Sequence, residues 1–386
     1  MLAMSEKIRP RYDVKSPAAQ ARRDEITNGT FTQEGTLVAF PTCLPGATIP
    51  ITADESRITA LDCVADGLVY GGTSGRAVHL FAGLFHGPTG AVLNMGTVRD
   101  ADQCVAIGCG KTRLAACVNG LGSGRVVTTP LETRGYDFIQ EWGYTRKPIQ
   151  DHGPVNGERI VHAVAANERT SLIGITSSKL FTTDSEDGKT TVVGDVNGHG
   201  KIAVGSQGGL FGQDGPDHLW RFDLGLMTIQ RHAIKLPAGA WDKTPLQWAR
   251  NGESGLLYTA DGDGTLFSFD ETRGFSSALG RTPLSPVGPM AVTHDGRVFG
   301  FCGDEMANMF CFNPARGTVK NLGVAISVIE RRRYGYAFGA AVTGRDGQII
   351  FGEDDSLGHV WLYFPSIQPA KNFAAGATVA PAKQSS

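Results

Sequence analysis

Three histidines at one recurring place in the chain could carry acid–base chemistry. His79, His218 and His359 each stand just before an aliphatic–aromatic pair. For His218 and His359 we expect a hydrogen bond that caps the preceding turn. His79 differs because the segment before it, GGTSGRAV, contains no acidic residue, so we expect its imidazole to be free of an ion pair. A neutral imidazole can accept a proton near pH 7, which makes His79 the candidate general base.

A cationic and aromatic segment, ERRRYGYAFG, could bind an acid group. Strand alternation places Arg331 and Arg333 on one side, and Tyr334 follows them. Arginine binds carboxylates through paired hydrogen bonds, and tyrosine and tryptophan rings stack on sugar faces. Trp241 lies in another connecting segment, where a core role is less natural, and His199 stands directly before a strand. Together these residue types predict a pocket for an anionic carbohydrate.

The elements that position these residues repeat along the chain. Glycine accounts for 51 of 386 residues, nearly twice the usual share of about 7%, which disfavours helices and favours short strands with tight turns. A pattern of strand, Gly-containing turn and aliphatic–aromatic pair recurs, with its aromatic anchor at Phe81, Phe181, Trp220, Phe267, Phe310 and Trp361. The segment CVAIGCGKTRLAACVNGLGSGRVVTT supplies one further copy. Seven four-stranded units predict an all-β, seven-bladed β-propeller rather than a pair of sandwiches or a β-helix.

The last unit ends after its third strand, WLYFP. The N-terminal segment TLVAF at 36–40 can supply the fourth strand and close the ring, which removes an exposed sheet edge. We therefore expect one propeller domain at 36–366. Residues 1–35 form an N-terminal extension, and the Ala/Pro-rich residues 367–386 form a disordered tail.

The loops on one face of such a ring are the expected place of function. If the inner strand of each blade starts at the top face, the connections between blades and those between second and third strands share that face. The longest connection between blades is expected to run from Thr128 to Glu158, and loops this long are usually functional. It carries Tyr136, Trp142, Tyr144, Arg146 and His152. The bottom-face turns, such as ERT, are short and are expected to be ordinary.

Charge and composition exclude several classes of protein. Lys and Arg total 36 against 38 Asp and Glu, which argues against a nucleic-acid binder, and no apolar run is long enough for a membrane helix. The seven cysteines are expected to be mainly reduced, with one or two disulfides as the alternative. The N-terminus has no hydrophobic segment, so we expect a cytoplasmic monomer, or a secreted one if a signal was removed.

The chain resembles seven-bladed propeller polysaccharide lyases, in particular the rhamnose–glucuronate lyases. The resemblance rests on YGGTSGRAVHLF, ERRRYGYAFGAAVTGRDG and FGEDDSLGHVWLYFP, and spans about 36–366. It implies β-elimination at a uronic acid of an oligo- or polysaccharide. Arg331 and Arg333, with Arg159, would neutralise the substrate carboxylate. His79 would be the base and also the acid, with Tyr144 as the alternative acid.

Similar lyases carry a calcium ion near the axis, and its ligands stay unassigned here. Two other functions remain open. A hydrolase or lactonase propeller would need an inward-pointing acidic calcium cluster from GDEMAN and GEDDS. A non-catalytic propeller that binds sugars or proteins would have no converging His, Arg and Tyr set on the top face.

Overall fold

The described residues form seven small sheets arranged in a ring, all antiparallel except for one short parallel pair at the edge of the first blade. The structure, a computed structural model, describes residues 31–32, 34–41, 47–48, 51–64, 67–86, 89–132, 148–166, 168–327 and 333–366. The predicted seven-bladed β-propeller is confirmed. Within the described ranges, no helix is long and apolar enough to cross a membrane.

The strands are numbered in chain order, and each blade runs from the inner to the outer strand. The chain starts with β1 (Phe31–Thr32), β2 (Gly35–Pro41) and β3 (Ala47–Thr48), then a 3-10 helix (Ala53–Glu55). Blade 1 holds β4 (Arg57–Cys63), β5 (Val69–Ser74), β6 (Val78–His86) and β7 (Thr89–Val98), and β3 pairs with β7. Blade 2 holds β8 (Gln103–Cys109), β9 (Arg113–Gly120), β10 (Ser123–Pro130) and β11 (Gln150–Pro154). Blade 3 holds β12 (Ile160–Ala166), β13 (Ser171–Thr176), β14 (Lys179–Asp184) and β15 (Thr190–Asp195).

The remaining four blades follow the same order. Blade 4 holds β16 (Ala203–Val204), β17 (Leu210–Gln213), β18 (His218–Asp223) and β19 (Thr228–Lys235). Blade 5 holds β20 (Ala249–Arg250), β21 (Leu257–Ala260) and β22 (Thr265–Asp270), with β23 (Gly274–Phe275) and β24 (Gly280–Arg281) both paired to β22. Blade 6 holds β25 (Val287–Val292), β26 (Val298–Cys302), β27 (Asn308–Asn313), β28 (Thr318–Ser327) and β29 (Arg333–Gly335). Blade 7 holds β30 (Phe338–Thr343), β31 (Ile349–Glu353) and β32 (His359–Pro365).

The N-terminal strand closes the ring as predicted. Strand β2 pairs with β32 from Gly35 opposite Pro365 to Pro41 opposite His359, so it completes blade 7. The fold begins slightly before the expected boundary at 36, because β1 pairs with β2 and Glu34 is buried. The Glu34 carboxylate lies 3.3 Å from the buried Arg297 guanidinium of blade 6, which ties the closing strand to the neighbouring blade.

The glycine excess has a packing cause at the second strand of several blades. Gly71 lies opposite Phe81, and Gly174 lies opposite Phe181. A Cβ atom on Gly71 would stand 2.0 Å from the Phe81 ring, and one on Gly174 would stand 2.2 Å from the Phe181 ring. Because contacts this short are sterically forbidden, the aromatic anchor requires glycine at the facing position in these two blades.

The core consists of hydrophobic layers between neighbouring blades. One layer joins Leu80 and Leu93 of blade 1 to Leu114 and Val118 of blade 2, all four fully buried. Six cysteines are buried, while Cys43 lies outside the described residues. Burial raises the pKa of the Cys104 thiol to about 12, so this side chain behaves as a small apolar group.

The prediction for the long loop of blade 2 was wrong. Strands β10 and β11 pair with each other, so the chain between Pro130 and Gln150 joins the third and fourth strands and leaves the blade at the bottom face. The fourth strand, QDHGP, is mostly exposed, and its polar sequence therefore lacks a strand pattern. Tyr144 and Arg146 lie outside the described residues.

Candidate functional site

The inner strands of blades 3 to 7 surround a cavity of about 530 Å³ at the centre of the ring. It is the candidate site because it combines an apolar wall with a few charged groups. Its wall includes His162, Lys201, Trp248, Arg250, Met290 and Ala341.

Lys201 is a titratable residue of this cavity whose environment changes its pKa. Its backbone N–H donates to the Leu246 carbonyl (2.8 Å), and its own carbonyl accepts from the Trp248 indole N–H (3.1 Å). Burial lowers the pKa of the Lys201 amine to about 8, against the opposing effect of the Asp354 carboxylate. A substantial neutral fraction at neutral pH lets this amine accept a proton.

His162 stands beside Lys201 and is held in one protonation state. The Ile202 backbone N–H donates to Nδ1 of His162 (3.2 Å), so the proton of the neutral ring lies on Nε2. Burial, helped by the positive charge of Lys201, lowers the pKa of His162 to about 3. The imidazole is therefore neutral at physiological pH and can donate a hydrogen bond, although it is not a useful general acid.

A carboxylate from blade 7 lies near the Lys201 side of the cavity. The backbone N–H of Asp354 donates to the Ala337 carbonyl (2.9 Å), and its side chain accepts from Nε of Arg57 (2.8 Å). Burial raises the pKa of Asp354, and Arg57 opposes that rise. Because Asp354 is close enough to affect Lys201 electrostatically, it links blades 1 and 7 to the titrating lysine.

The lower end of the cavity carries an ion pair that joins three blades. Arg169, in the ERT turn of blade 3, donates to Asp62 of blade 1 (2.6 Å) and to the Cys63 carbonyl (3.0 Å). The same Asp62 oxygen accepts the Cys109 backbone N–H of blade 2 (2.8 Å). The prediction that this turn is ordinary was therefore wrong. Its arginine, with φ of 69°, reaches across two blades and lines the cavity.

The expectation that His79 would be free of an ion pair is wrong. Its Nε2 lies 2.7 Å from the Glu55 carboxylate, which comes from the 3-10 helix before blade 1, and Asn94 and Thr97 contact Nδ1. The imidazole is buried and is not part of the central cavity wall. It occupies a capping position, as His359 does through its contact with Glu353 (2.8 Å). Its role as a general base stays a prediction, and the contacts described here do not place the imidazole where it would reach a substrate in the cavity.

Three other predicted substrate-binding residues lie outside the cavity wall. Arg159 pairs with Asp102 (2.9 Å) in the connections that precede blades 2 and 3. His152 lies on the outermost strand of blade 2, where Nε2 contacts the Thr128 hydroxyl (2.9 Å). His199 is exposed in the loop before blade 4. Lys201, two residues further along, lines the cavity instead of His199.

Trp241 is a core residue, contrary to the expectation for a connecting segment. It is 3% exposed, packs on Phe267 (5.4 Å between ring centroids) and donates to the Pro237 carbonyl (2.7 Å). Tyr334 is exposed on β29. Arg331 lies outside the described residues, and of Arg333 only the backbone, in β29, is described.

The charged residues of the cavity that sequence reasoning missed are Glu168 and Arg169 of the ERT turn, and Lys201 and Arg250. The last two were the more accessible to prediction. Lys201 and Arg250 belong to the predicted inner strands of blades 4 and 5. Because inner strands lie next to the axis, their charged residues could have been predicted to face the central cavity. Across the described part of the chain, no three His, Cys, Asp or Glu side chains form a group that could hold a metal ion. The calcium ion that the resemblance implies stays a prediction.

Comparisons with known proteins show the fold. No family model matches the chain, and no curated protein matches it. Among solved structures, virginiamycin B lyase from Staphylococcus aureus is similar with a TM-score of 0.60 at 9% identity, covering 86% of this chain and 99% of that one. The extracellular domain of a hybrid two-component system from B. thetaiotaomicron is similar with a TM-score of 0.52 at 14% identity, covering 87% of this chain and 40% of that one. Likeness at such low identity shows that the chain shares the β-propeller fold of these proteins.

Proposed function

We propose that this propeller is a carbon–oxygen lyase that cleaves a glycosidic bond at a uronic acid by β-elimination in the central cavity. The observation that carries the proposal is one cavity that holds a lysine with a pKa of about 8 beside two arginines. The similarity to a propeller named as a lyase agrees with this class of reaction.

The reaction needs a cation at the substrate carboxylate, because neutralising that charge makes the adjacent C5 proton more acidic. Arg250 is the candidate, since its exposed side chain lines the cavity. Its Nε donates to the Val204 carbonyl (3.0 Å), which orients the guanidinium while leaving other N–H donors for a carboxylate. Arg169 adds positive charge at the lower end, although its pairing with Asp62 occupies part of its hydrogen-bonding capacity.

The neutral Lys201 amine is the proposed base. It takes the proton from C5, the electron pair forms the C4–C5 double bond, and the C4–O4 bond breaks. The resulting ammonium then donates a proton to the departing O4, so one residue serves both steps. His162, neutral with its proton on Nε2, offers a hydrogen bond to a sugar hydroxyl. Lys201 thus replaces His79 in the predicted role.

The test is an elimination assay over a panel of uronate-containing oligosaccharides. Each turnover should raise the ultraviolet absorbance of the unsaturated uronate product. Lys201→Met should abolish the signal. Lys243→Met is the matched control and should retain it, because that lysine is exposed and pairs with Asp263 on the surface (2.6 Å).

Two outcomes would overturn the proposal. If no uronate glycan gives an unsaturated product while sugars still bind in the cavity, the propeller is a non-catalytic binding protein. If Lys201→Met keeps full activity, the elimination uses another base, and His79→Ala becomes the next variant to assay.

A further inference from the structure

Two exposed tyrosines form a roughly parallel aromatic pair on the top face between blades 6 and 7. The Tyr334 and Tyr336 rings are nearly parallel, at 20°, with centroids 6.4 Å apart. They are 36% and 41% exposed. Aromatic side chains exposed to this extent are available to a ligand.

The local backbone explains why both rings point outward. Residues two apart along an extended segment share one face, and Gly335 between the tyrosines faces inward. A Cβ atom on Gly335 would stand 2.6 Å from the Phe338 ring and 3.1 Å from the Trp361 ring, so the core holds this residue closely. The Tyr336 carbonyl also accepts the Ala307 backbone N–H (2.9 Å), which fixes the segment against blade 6.

The surface continues towards the central cavity. Tyr336 is followed by Ala337, whose carbonyl accepts the backbone N–H of Asp354, and Asp354 interacts electrostatically with Lys201 in the cavity. On the other side, Met306 is 46% exposed in the loop that Tyr336 contacts. The tyrosine segment is therefore connected to the cavity through Ala337 and Asp354.

We propose that Tyr334 and Tyr336 form a second sugar subsite, which binds rings of an oligosaccharide chain whose acidic unit occupies the cavity. A tyrosine offers an apolar face for the C–H face of a sugar and a hydroxyl for its polar edge, which suits a sugar better than a wholly apolar ligand. The ligand class comes from the proposed function. If the tyrosines bind further sugar rings, the preferred substrate is an oligosaccharide chain rather than a single acidic disaccharide.

The experiment measures binding without turnover. In the Lys201→Met background, calorimetry compares uronate oligosaccharides of two units with those of six or more. The longer chains should bind more tightly, and Tyr334→Ala/Tyr336→Ala should weaken their binding about tenfold or more while leaving the two-unit ligand unchanged. Leu226→Ala is the control, because this residue is 73% exposed in the turn after the third strand of blade 4, on the opposite face.

The outcomes separate this subsite from the lyase proposal. If wild-type protein eliminates nothing but long chains still bind in a tyrosine-dependent way, the subsite stands and the lyase proposal fails. If long and short chains bind equally, or the tyrosine variant binds long chains as its parent does, the subsite is overturned. An unchanged unfolding transition of the tyrosine variant shows that its binding loss does not come from unfolding.

Discussion

The titration of Lys201 offers a direct measurement of the proposed site. Its pKa of about 8 comes from burial in the cavity, against an ordinary value of about 10.5. At pH 7 the neutral fraction is therefore about one in ten, whereas an ordinary lysine is neutral about three times in ten thousand. The structure predicts roughly a 300-fold larger population of the base form at neutral pH.

Competitive labelling with a small acylating reagent, read by mass spectrometry from pH 6 to 11, measures this difference. The labelling rate of Lys201 should rise with a midpoint near 8. Lys243 serves as an internal control, because Asp263 raises its pKa above the ordinary value. If Lys201 shows a midpoint like that of Lys243, the burial assigned to the amine is wrong, and so is its role as a base.

One substitution tests the cause of the titration. The Asp354 carboxylate raises the pKa of Lys201, against the larger effect of burial. Asp354→Asn removes that negative charge with little change of shape, so the Lys201 midpoint should move below that of the wild type. A midpoint that stays unchanged or rises would show that the two groups do not interact across the cavity.

The same titration predicts how stability depends on pH. Because the pKa of Lys201 is lower in the folded state than in the unfolded state, unfolding takes up a proton between about pH 8 and 10.5. Stability contributed by this group should therefore rise with pH through that window. Lys201→Met should remove this rise, and denaturant unfolding at pH 7, 9 and 10.5 checks it against Lys243→Met.

Four further substitutions test the fold, each by denaturant unfolding. Gly174→Ala should destabilise by about 1–3 kcal/mol, because its Cβ would meet the Phe181 ring; an unchanged midpoint would contradict that contact. Asp62→Ala should cost about 2 kcal/mol or more, since two backbone N–H groups lose their acceptor, and Arg169→Ala should cost less because it leaves both bonds intact. Leu37→Ala should cost about 2–5 kcal/mol, because this side chain of the closing strand is fully buried; a smaller loss would mean that the strand contributes little to ring closure.

The sequence predicted the ring because its signal is repeated. Six of the seven blades carry the aromatic anchor. Gly71 and Gly174 show that, in two of them, packing against this anchor restricts the facing position to glycine. The closing strand at 36–40 was also predictable, since the last unit lacked one strand. The fourth strand of blade 2 was not predictable, because an outermost strand exposed on both faces has no apolar alternation.

The candidate site was harder to predict because its determinants are long-range. Nothing in GGTSGRAVHLF indicates that Glu55, 24 residues before His79, reaches the imidazole. Likewise, the connecting segment around Trp241 does not reveal that its ring fills the core beside Phe267. Local composition shows which residue types are available, whereas burial and partners decide what each can do.

The geometry of the inner strands explains why the charged groups meet between blades 4 and 5. Every inner strand has one edge without a neighbouring strand, so its backbone groups need partners from elsewhere. Here the Lys201 and Val204 carbonyls of blade 4 accept hydrogen bonds from the Trp248 indole and the Arg250 guanidinium of blade 5. The bonds that complete the unpaired edge also hold the aromatic and cationic groups of the cavity beside the lysine with the lowered pKa. A requirement of the propeller architecture thus preorganises the side chains to which we assign the chemistry.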